Sequence, residues 1–399
     1  MTKQIPQGYK QTKLGVIPED WEVVKLNEKS VIQRGRFSPR PRNDPQYYNG
    51  NYPFVQTNDV VNSKGKITNY SQTLNEKGLK VSKIFPKGTI LMTIAANIGF
   101  TGILTIDMTC PDSLVGIKCK KDLYNKYLNF YFMFNQKRID YLAEEAAQKN
   151  INLSTLNVLN IPFPPLKEQE KIAEILSTWD DVITKQEQLI EQKQVFKKGI
   201  MQQIFSQKVR FKDDNGNDYP AWQSKKLSGI TNITIGEFII KTKQNPNGLY
   251  PVFNGGVYCT GFYDEFNNEG NKIIISARGA NAGYVNFEKR RYWAGNSCYS
   301  VDIVDKKLYI INYFHYYIKF NQNKFVDNQQ AANIPSVSKK DVQNFRIMLP
   351  NFAEQTKIAN FLTNIDEEIT KQSEILDQLK LQKQSLMQKL LTGQVRVKI

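Results

Sequence analysis

The sequence predicts an α+β protein built as an internal repeat. Two mixed α/β domains with curved, largely antiparallel sheets are separated by two long antiparallel helices that form a coiled coil with pseudo-two-fold symmetry. Three observations lead there. A segment that opens PPLKEQEKIAEIL at Pro164 returns as PNFAEQTKIANFL at Pro350, at an offset of 186 that needs no gap over almost fifty residues. Within both copies the apolar residues recur at three-and-four spacing, the period of a helix. Outside the copies lie short β-prone runs bounded by turns.

The first region, 1–163, carries the runs ITNYSQTL, GTILMTI and VGIKC and then an aromatic-rich stretch of helical length from Lys126. Its charge-free run from Gly88 to Ile106 is long enough to raise the question of a membrane span. The glycines, the threonines and Asn97 favour buried strands joined by a turn. The segment 164–208 opens on IPFPPL, whose prolines stop the preceding structure. A helix uninterrupted from Lys167 to Phe205 would be about 58 Å long at ~1.5 Å per residue. The region 209–349 repeats the β-prone character in NKIIISA, AGYVNF and CYSVDIV, ends with the helical run from Leu308, and hands over to the second helix in 350–399. NIGF at Asn97 and NAGY at Asn281, like PEDWEVVKL at Pro18 and PAWQSKKL at Pro220, mark the two regions as diverged copies.

Neither apolar stripe has a partner within its own helix, and burial of one against the other in antiparallel register serves both. The expected seam takes Ile172, Trp179, Gln186 and Leu189 from the first helix and Ile358, Ile365, Gln372 and Leu379 from the second. Gln186 and Gln372 are equivalent positions, which either fix register at some loss of stability or sit at a solvated point of the seam.

The chain has 399 residues, and 54 basic against 38 acidic side chains leave a net charge of +16. An excess of that size favours a polyanionic partner, nucleic acid first. It is +9 over 1–166 and +4 over 213–350, against +2 over 167–212 and +1 over 351–399, so it avoids the repeated segments. Four cysteines without a CxxC pair, and a start, MTKQIPQGYK, without the apolar core of a signal peptide, indicate a reducing, cytoplasmic setting.

Catalytic apparatus is hard to find. The one histidine, His315, lies in an aromatic helical run and reads as a core residue, which excludes histidine-based nucleophile activation and multi-histidine metal sites. There is no GxxxxGK[ST] phosphate loop, no strand-linked glycine fingerprint and no Asn-Pro-Pro-aromatic tetrapeptide. Glu19, Asp20 and Glu22 resemble a nuclease carboxylate cluster only loosely and read as the start of the domain. The expectation is no catalytic residue and no metal ligand; the alternative is a stand-alone DNA-modifying enzyme, a methyltransferase or nuclease with an unfamiliar site.

The candidate DNA contacts follow from side-chain chemistry. Arg34, Arg36, Arg40 and Arg42 sit among glycine and prolines on one loop, suited to phosphate oxygens and guanine edges. Tyr47 adds a flat, polar-tipped surface, and Gln56, Thr57, Asn58 and Asn97 offer amides and a hydroxyl that read adenine or sit on phosphate. In the second region the candidates are Lys241 and Lys243, Asn254 in FNGGVYCTGFY, Arg278 and Asn281 in SARGANAG, and Arg290 and Arg291. The glycines around Arg278 either admit a ligand to the backbone or make a tight turn.

Taken together, IPFPPLKEQEKIAEIL, IMLPNFAEQTKIANFL, the repeated ends VRFK and VRVK, the block RGRFSPR…YYNGNYPFVQTNDV and YPVFNGGVYCTGFYD with ISARGANAG resemble the specificity subunit (HsdS) of Type I restriction–modification systems. The resemblance covers nearly the whole chain. It implies two target-recognition domains, each reading one half of a bipartite site in double-stranded DNA, with paired helices setting the gap. It also implies two adenine methyltransferase subunits and, in the restricting complex, two ATP-driven translocase-nuclease subunits. S-adenosylmethionine, ATP and Mg would then belong to those partners, with no cofactor in this chain and no membrane.

Overall fold

A computed structural model describes residues 5–144, 150–240, 244–326 and 335–399. Its compact units do not follow the four segments of the sequence reading. One unit comprises 1–186 with 375–399, the other 187–374, so each takes one β-rich region and half of each long helix.

In the first unit a five-stranded sheet runs in the order Ser30–Arg34, Leu114–Cys119, Ile90–Thr93, Thr101–Leu104, Lys66–Ile67, antiparallel but for the last pair. The charge-free run supplies the middle pair, Met92 opposite Thr101. A second, mixed sheet orders Gln72–Leu74, Tyr48–Phe54, Met108–Thr109 and Ile84–Phe85. Side chains alternate faces along a strand, and the cores obey this. Leu91 and Leu114 enter the cluster that holds Phe85 and Met108 of the second sheet. Ile90, Met92, Val115 and Ile117 enter the larger cluster under helix α1 (Asn125–Phe134), with Tyr127, Leu128 and Phe132. Strands Glu22–Lys25 and Asn160–Phe163 pair antiparallel and tie the start of the region to its end.

The second unit repeats the plan. Its main sheet is antiparallel throughout, in the order Thr231–Ile235, Cys298–Ile303, Lys272–Ser276, Val285–Glu288. The companion sheet orders Gly261–Tyr263, Tyr250–Phe253 and Trp293–Ala294, and Gln223–Lys226 pairs with Arg346–Leu349. Among the described residues no helix is long and apolar enough to cross a membrane.

The long helices are α2 (Leu166–Phe205) and α4 (Phe352–Leu391); α3 (Ile311–Phe320) lies between them in sequence. Within the first unit α2 and α4 run antiparallel, with Lys383 Nζ on Asp180 Oδ1 at 2.5 Å. Within the second, Lys197 Nζ meets Asp366 Oδ1, also at 2.5 Å. The apolar stripe has two uses. At the helix ends it enters the domain cores: Ile172, Ala173, Leu176, Met387 and Leu390 in the first unit, Ile204, Ile358, Ala359 and Leu362 in the second. Ile172 and Ile358, expected at the seam, are thus core residues beside the sheets. Ile365 packs at the margin of the second core, Trp179 and Leu379 are half-buried, and Leu189 is 37% exposed. Gln186 is half-buried, and Gln372 donates to Glu368 Oε1 at 3.0 Å along its own helix.

The repeated Glu-Gln pair closes each unit. Gln169 accepts from the Tyr124 amide at 2.8 Å and donates to the Pro164 carbonyl at 2.8 Å; Gln355 accepts from the Ile310 amide at 3.0 Å and donates to the Pro350 carbonyl at 3.0 Å. Glu168 is fully buried and accepts from the Trp21 indole at 2.9 Å and from Arg396 Nε at 2.7 Å. Glu354, equally buried, accepts from the Trp222 indole at 3.0 Å and from Arg210 Nη2 at 2.7 Å. Each VR pair that follows a long helix therefore clasps the start of the other helix. The turn that makes this possible passes through the left-handed region in both copies, at Gln207 (φ 60°) and Gly393 (φ 71°).

His315 lies on α3 against the Phe287 ring at 5.1 Å, with Nδ1 sealed from solvent and without a hydrogen-bond partner. Burial, with Lys197 and Lys319 nearby, lowers its pKa from 6.5 to about 3. Its folded-state pKa lies below the unfolded one, so the unfolded chain takes up the proton first. Stability should fall as pH drops from 6.5 toward 3, by up to ~1.4 kcal/mol per pH unit. Denaturant titrations between pH 6.5 and 5, above the main carboxylate range, should show that slope. His315→Asn, which copies Asn129 at the equivalent place in α1, should flatten it; identical slopes would place the histidine in contact with water.

Candidate nucleic-acid interface

The arginine loop leaves the main sheet of the first unit at Arg34, and Gly35 lets it pass close to the segment Pro111–Ser113. A Cβ on Gly35 would lie 2.1 Å from the Pro111 carbonyl oxygen. Beyond it, Phe37 is buried against Phe54, Leu74 and the Tyr48 ring, which anchors the loop from below. The Tyr48 hydroxyl, its pKa raised by burial with Arg42 opposing, donates to the Arg42 carbonyl.

Three of the four predicted arginines converge on Asp112. Arg34 Nε donates to the Asp112 carbonyl at 2.6 Å, Arg42 Nη2 meets Oδ1 at 2.7 Å, and Arg40 Nη2 lies 3.9 Å from Oδ2. Arg36 turns aside and donates to the Lys80 carbonyl at 2.8 Å. The next residue, Ser113, places its hydroxyl 3.3 Å from that of Thr57, and its carbonyl accepts from the Ile94 amide at 3.1 Å. Thr57 and Asn58 open the short helix Thr57–Asn62, and Gln56 caps it while donating to Gln72 Oε1 at 2.8 Å. Asn97, exposed, lies on the turn that follows Ile94. Arg34, Arg40, Arg42, Thr57, Asn58 and Asn97 therefore share one end of the main sheet, organised around Pro111–Ser113. Tyr47 does not join them as a free platform: its ring stands edge-on to Phe37 at 6.0 Å.

The same end of the second sheet gathers Asn254, Arg278 and Asn281. Asn254 Oδ1 accepts from the Ser297 amide at 3.4 Å, and the Ala277 amide donates to the Ser297 carbonyl at 2.7 Å. Gly255 (φ 83°) runs beside Arg278; a Cβ there would lie 3.1 Å from the Arg278 carbonyl. Arg278 and Asn281 are exposed on the turn between Lys272–Ser276 and Val285–Glu288.

Arg290 and Arg291 lie at the opposite end of that last strand, four residues long at ~3.3 Å each. Arg290 is paired with Glu288 at 3.1 Å, and Arg291 is paired with Glu269 at 2.9 Å and stacked 4.6 Å from the Phe266 ring centre. The structure does not bring them to the Arg278 turn. Lys241 and Lys243 lie outside the described residues.

Sequence reasoning missed Asp112 and its neighbours because it searched for basic and amide groups. A signal was present. NIGF and NAGY match at an offset of 184, and the same offset carries CPDS at Cys110 onto AGNS at Ala294, the segment that plays the same part in the second unit. As for other chemistry, burial raises the Cys298 thiol to about 11 and the Cys119 thiol to about 12, which makes both poor nucleophiles. Among the described residues no three His, Cys, Asp or Glu side chains are grouped to hold a metal ion.

The model of the Type I restriction modification DNA specificity domain matches the chain twice, over residues 18–195 and 219–381. The chain is 28% identical to a putative type I restriction enzyme MjaX specificity subunit of Methanocaldococcus jannaschii, across 98% of this chain and 97% of that one. To the MjaIX specificity subunit of the same organism it is 26% identical, across 98% and 96%. Among solved structures, the S subunit of a type I restriction-modification system from M. genitalium superposes with a TM-score of 0.59 at 20% identity, covering 93% of this chain and 96% of that one. A chain from a study of complex assembly and conformational transition of the type I R-M system gives 0.62 at 17% identity, covering 95% and 99%.

Proposed function

Because the chain belongs to the family of the Type I restriction modification DNA specificity domain, we propose that it is a non-catalytic DNA-reading subunit whose two domains each read one half of a split site. The observation that carries this is the duplicated sheet end. In both units arginine and amide side chains gather at the same end of the main sheet, beside a strand-to-strand turn and a crossing segment: Arg34, Arg40, Arg42 and Asn97 around Pro111–Ser113 in the first, Arg278, Asn281 and Asn254 around Gly295–Ser297 in the second. Two unlike readers on one chain suit a site made of two unlike words. Lysines and arginines outside the helices supply the sequence-independent, salt-dependent part of the affinity.

The long helices set the gap between the two words and offer docking faces to two adenine methyltransferase subunits. Half-sites read from one face of a duplex fall about one helical turn, ~34 Å, apart, which a rigid helical pair can span. In the restricting complex two translocase-nuclease subunits join, and S-adenosylmethionine, ATP and Mg are bound by the partners. The complex acts in the cytoplasm, where the DNA is.

The test is to express the chain with its methyltransferase partner and map methylated adenines genome-wide. Every modified site should be two words separated by a fixed gap. Insertion of one helical turn next to Gln192, with the matching insertion in α4, should change the gap and leave both words intact. A single uninterrupted word would refute the bipartite reading, and methyl transfer by the isolated chain would establish the stand-alone enzyme instead.

A further inference from the structure

We propose that Asp112 is a positioning residue that sets specificity: its carboxylate holds Arg40 and Arg42 in the arrangement that reads DNA and restrains them from binding any phosphate. The inference rests on the reading that this loop contacts DNA, and adds to it an acidic residue at the centre of the basic face.

The geometry divides a fixed part from a movable part. The main chain around Asp112 is fixed at several points, by Arg34 Nε on its carbonyl at 2.6 Å, by Ser113 against Ile94 and Thr57, and by the close passage of Gly35. The two guanidinium groups stand on long stems. Apart from Asp112, the partners of Arg40 among the described residues are carbonyls of its own loop, that of Pro39 at 2.8 Å and those of Phe37 and Ser38 at 3.4 Å. A carboxylate on the fixed part thus aims the Arg42 fork directly, at 2.7 Å, and draws the Arg40 fork toward it from 3.9 Å by charge alone. Stability is not its purpose, because Arg40 and Arg42 are 58% and 50% exposed and Asp112 is 35% exposed, the setting in which ion pairs contribute least.

Orientation matters because an arginine recognises guanine through two parallel bonds in one plane. Charge matters as well. A negative group among guanidiniums repels phosphates and lowers affinity for DNA of every sequence, and discrimination is the ratio of the specific to the non-specific affinity. Among the described residues the second domain shows no counterpart to Asp112 on its crossing segment. The corresponding segment of the second domain has Asn296 between Gly295 and Ser297, and Glu237 stands where the first has Arg36, its amide donating to the Ala294 carbonyl as that of Arg36 does to Cys110.

The experiment compares the full chain with its Asp112→Ala, Asp112→Asn, Arg42→Ala and Arg40→Ala/Arg42→Ala variants. Each is used to select from a pool of randomised duplexes, and each is titrated with one mixed-sequence duplex over a salt series. Asp112→Ala should relax preference at two or more positions of one half-site, leave the other half-site unchanged, and tighten binding to the mixed-sequence duplex about 3-fold, with a salt slope steeper by ~1. Asp112→Asn keeps size and the main-chain contacts, should act in the same direction more weakly, and decides the matter if the alanine variant melts early. Unchanged preference in both Asp112 variants, with a half-site lost in the double arginine variant, would reduce Asp112 to a surface ion pair. Preference lost at one base pair only, with mixed-sequence affinity unchanged, would make Asp112 itself the reader and overturn the positioning role. If the double arginine variant retains both half-sites, the DNA reading of the loop fails, and the proposal with it.

Discussion

Arg396→Ala should destabilise the first unit by about 3–5 kcal/mol and leave the second unit as it was. The Glu168 carboxylate is fully buried, and its partners are the Trp21 indole at 2.9 Å and two bonds from Arg396, at 2.7 and 2.9 Å. Without the guanidinium one neutral donor remains to a buried charge. The Asp20 pair, at 2.7 Å and half exposed on the acid side, adds little of its own. Removing the other partner has a different consequence. In Glu168→Gln the amide oxygen can still accept from the indole while Arg396, 38% exposed, turns to water and to Asp20, so the loss should be smaller, about 1–2 kcal/mol. Hydrogen exchange on the full chain reads the two units separately. Faster exchange in the strands Glu22–Lys25 and Asn160–Phe163 and at the start of α2 is the expected result. Arg210→Ala should mirror it at Gln223–Lys226, Arg346–Leu349 and the start of α4. Equal loosening of both units, or a greater loss in Glu168→Gln than in Arg396→Ala, would show that the clasp is not what holds these ends together.

The clasp also shows where the sequence was legible and where it was not. The repeat is plain because one offset of 186 aligns Glu168 with Glu354, Asp180 with Asp366 and Arg210 with Arg396, and from it come two equivalent units and two long antiparallel helices. What the glutamates bind is hidden, because the donors are distant in the chain: Trp21 is 147 residues from Glu168 and Arg396 is 228. Periodicity likewise could not separate the two uses of the stripe. A helix buried against a sheet and a helix buried against another helix require the same three-and-four spacing, so Ile172 and Leu189 look alike although one is in a core and the other is partly exposed. Charge singled out the first arginine loop, and the structure gathers its Arg34, Arg40 and Arg42 around Asp112, an acidic residue that a search for basic groups passes over. Composition alone does not tell that Arg290 and Arg291, candidates of the same charge, stand apart from Arg278 at the other end of the strand Val285–Glu288.

Gly35→Ala should abolish reading by the first domain while the second continues to read. Glycine is needed there for space, because a Cβ would meet the Pro111 carbonyl oxygen at 2.1 Å, Cys110 Sγ at 2.7 Å and the Cys110 carbonyl oxygen at 2.8 Å. Two of the three obstacles are main chain, so no rotamer change relieves the clash and the two segments must separate. Overpacking of this kind costs about 1–3 kcal/mol, which a domain with these cores can survive, so the expected defect is local. The separation acts on the interface directly. Arg34 precedes the glycine and holds the Asp112 carbonyl, Arg36 follows it with its amide on the Cys110 carbonyl at 3.1 Å, and Arg40 and Arg42 find Asp112 only if the loop leaves the strand at this angle. Selection from randomised duplexes should therefore show one half-site lost, a fall in preference of more than about 10-fold, roughly 1.4 kcal/mol. Gly236→Ala should do the same to the other half-site, since its Cβ would lie 2.2 Å from the Ala294 carbonyl oxygen. Gly199→Ala on α2, where a Cβ meets nothing within 4 Å, is the control and should leave both words intact. If Gly35→Ala and Gly236→Ala weaken binding to all DNA alike and spare both preferences, the sheet ends carry phosphate contacts only, and the bases are read elsewhere on each domain.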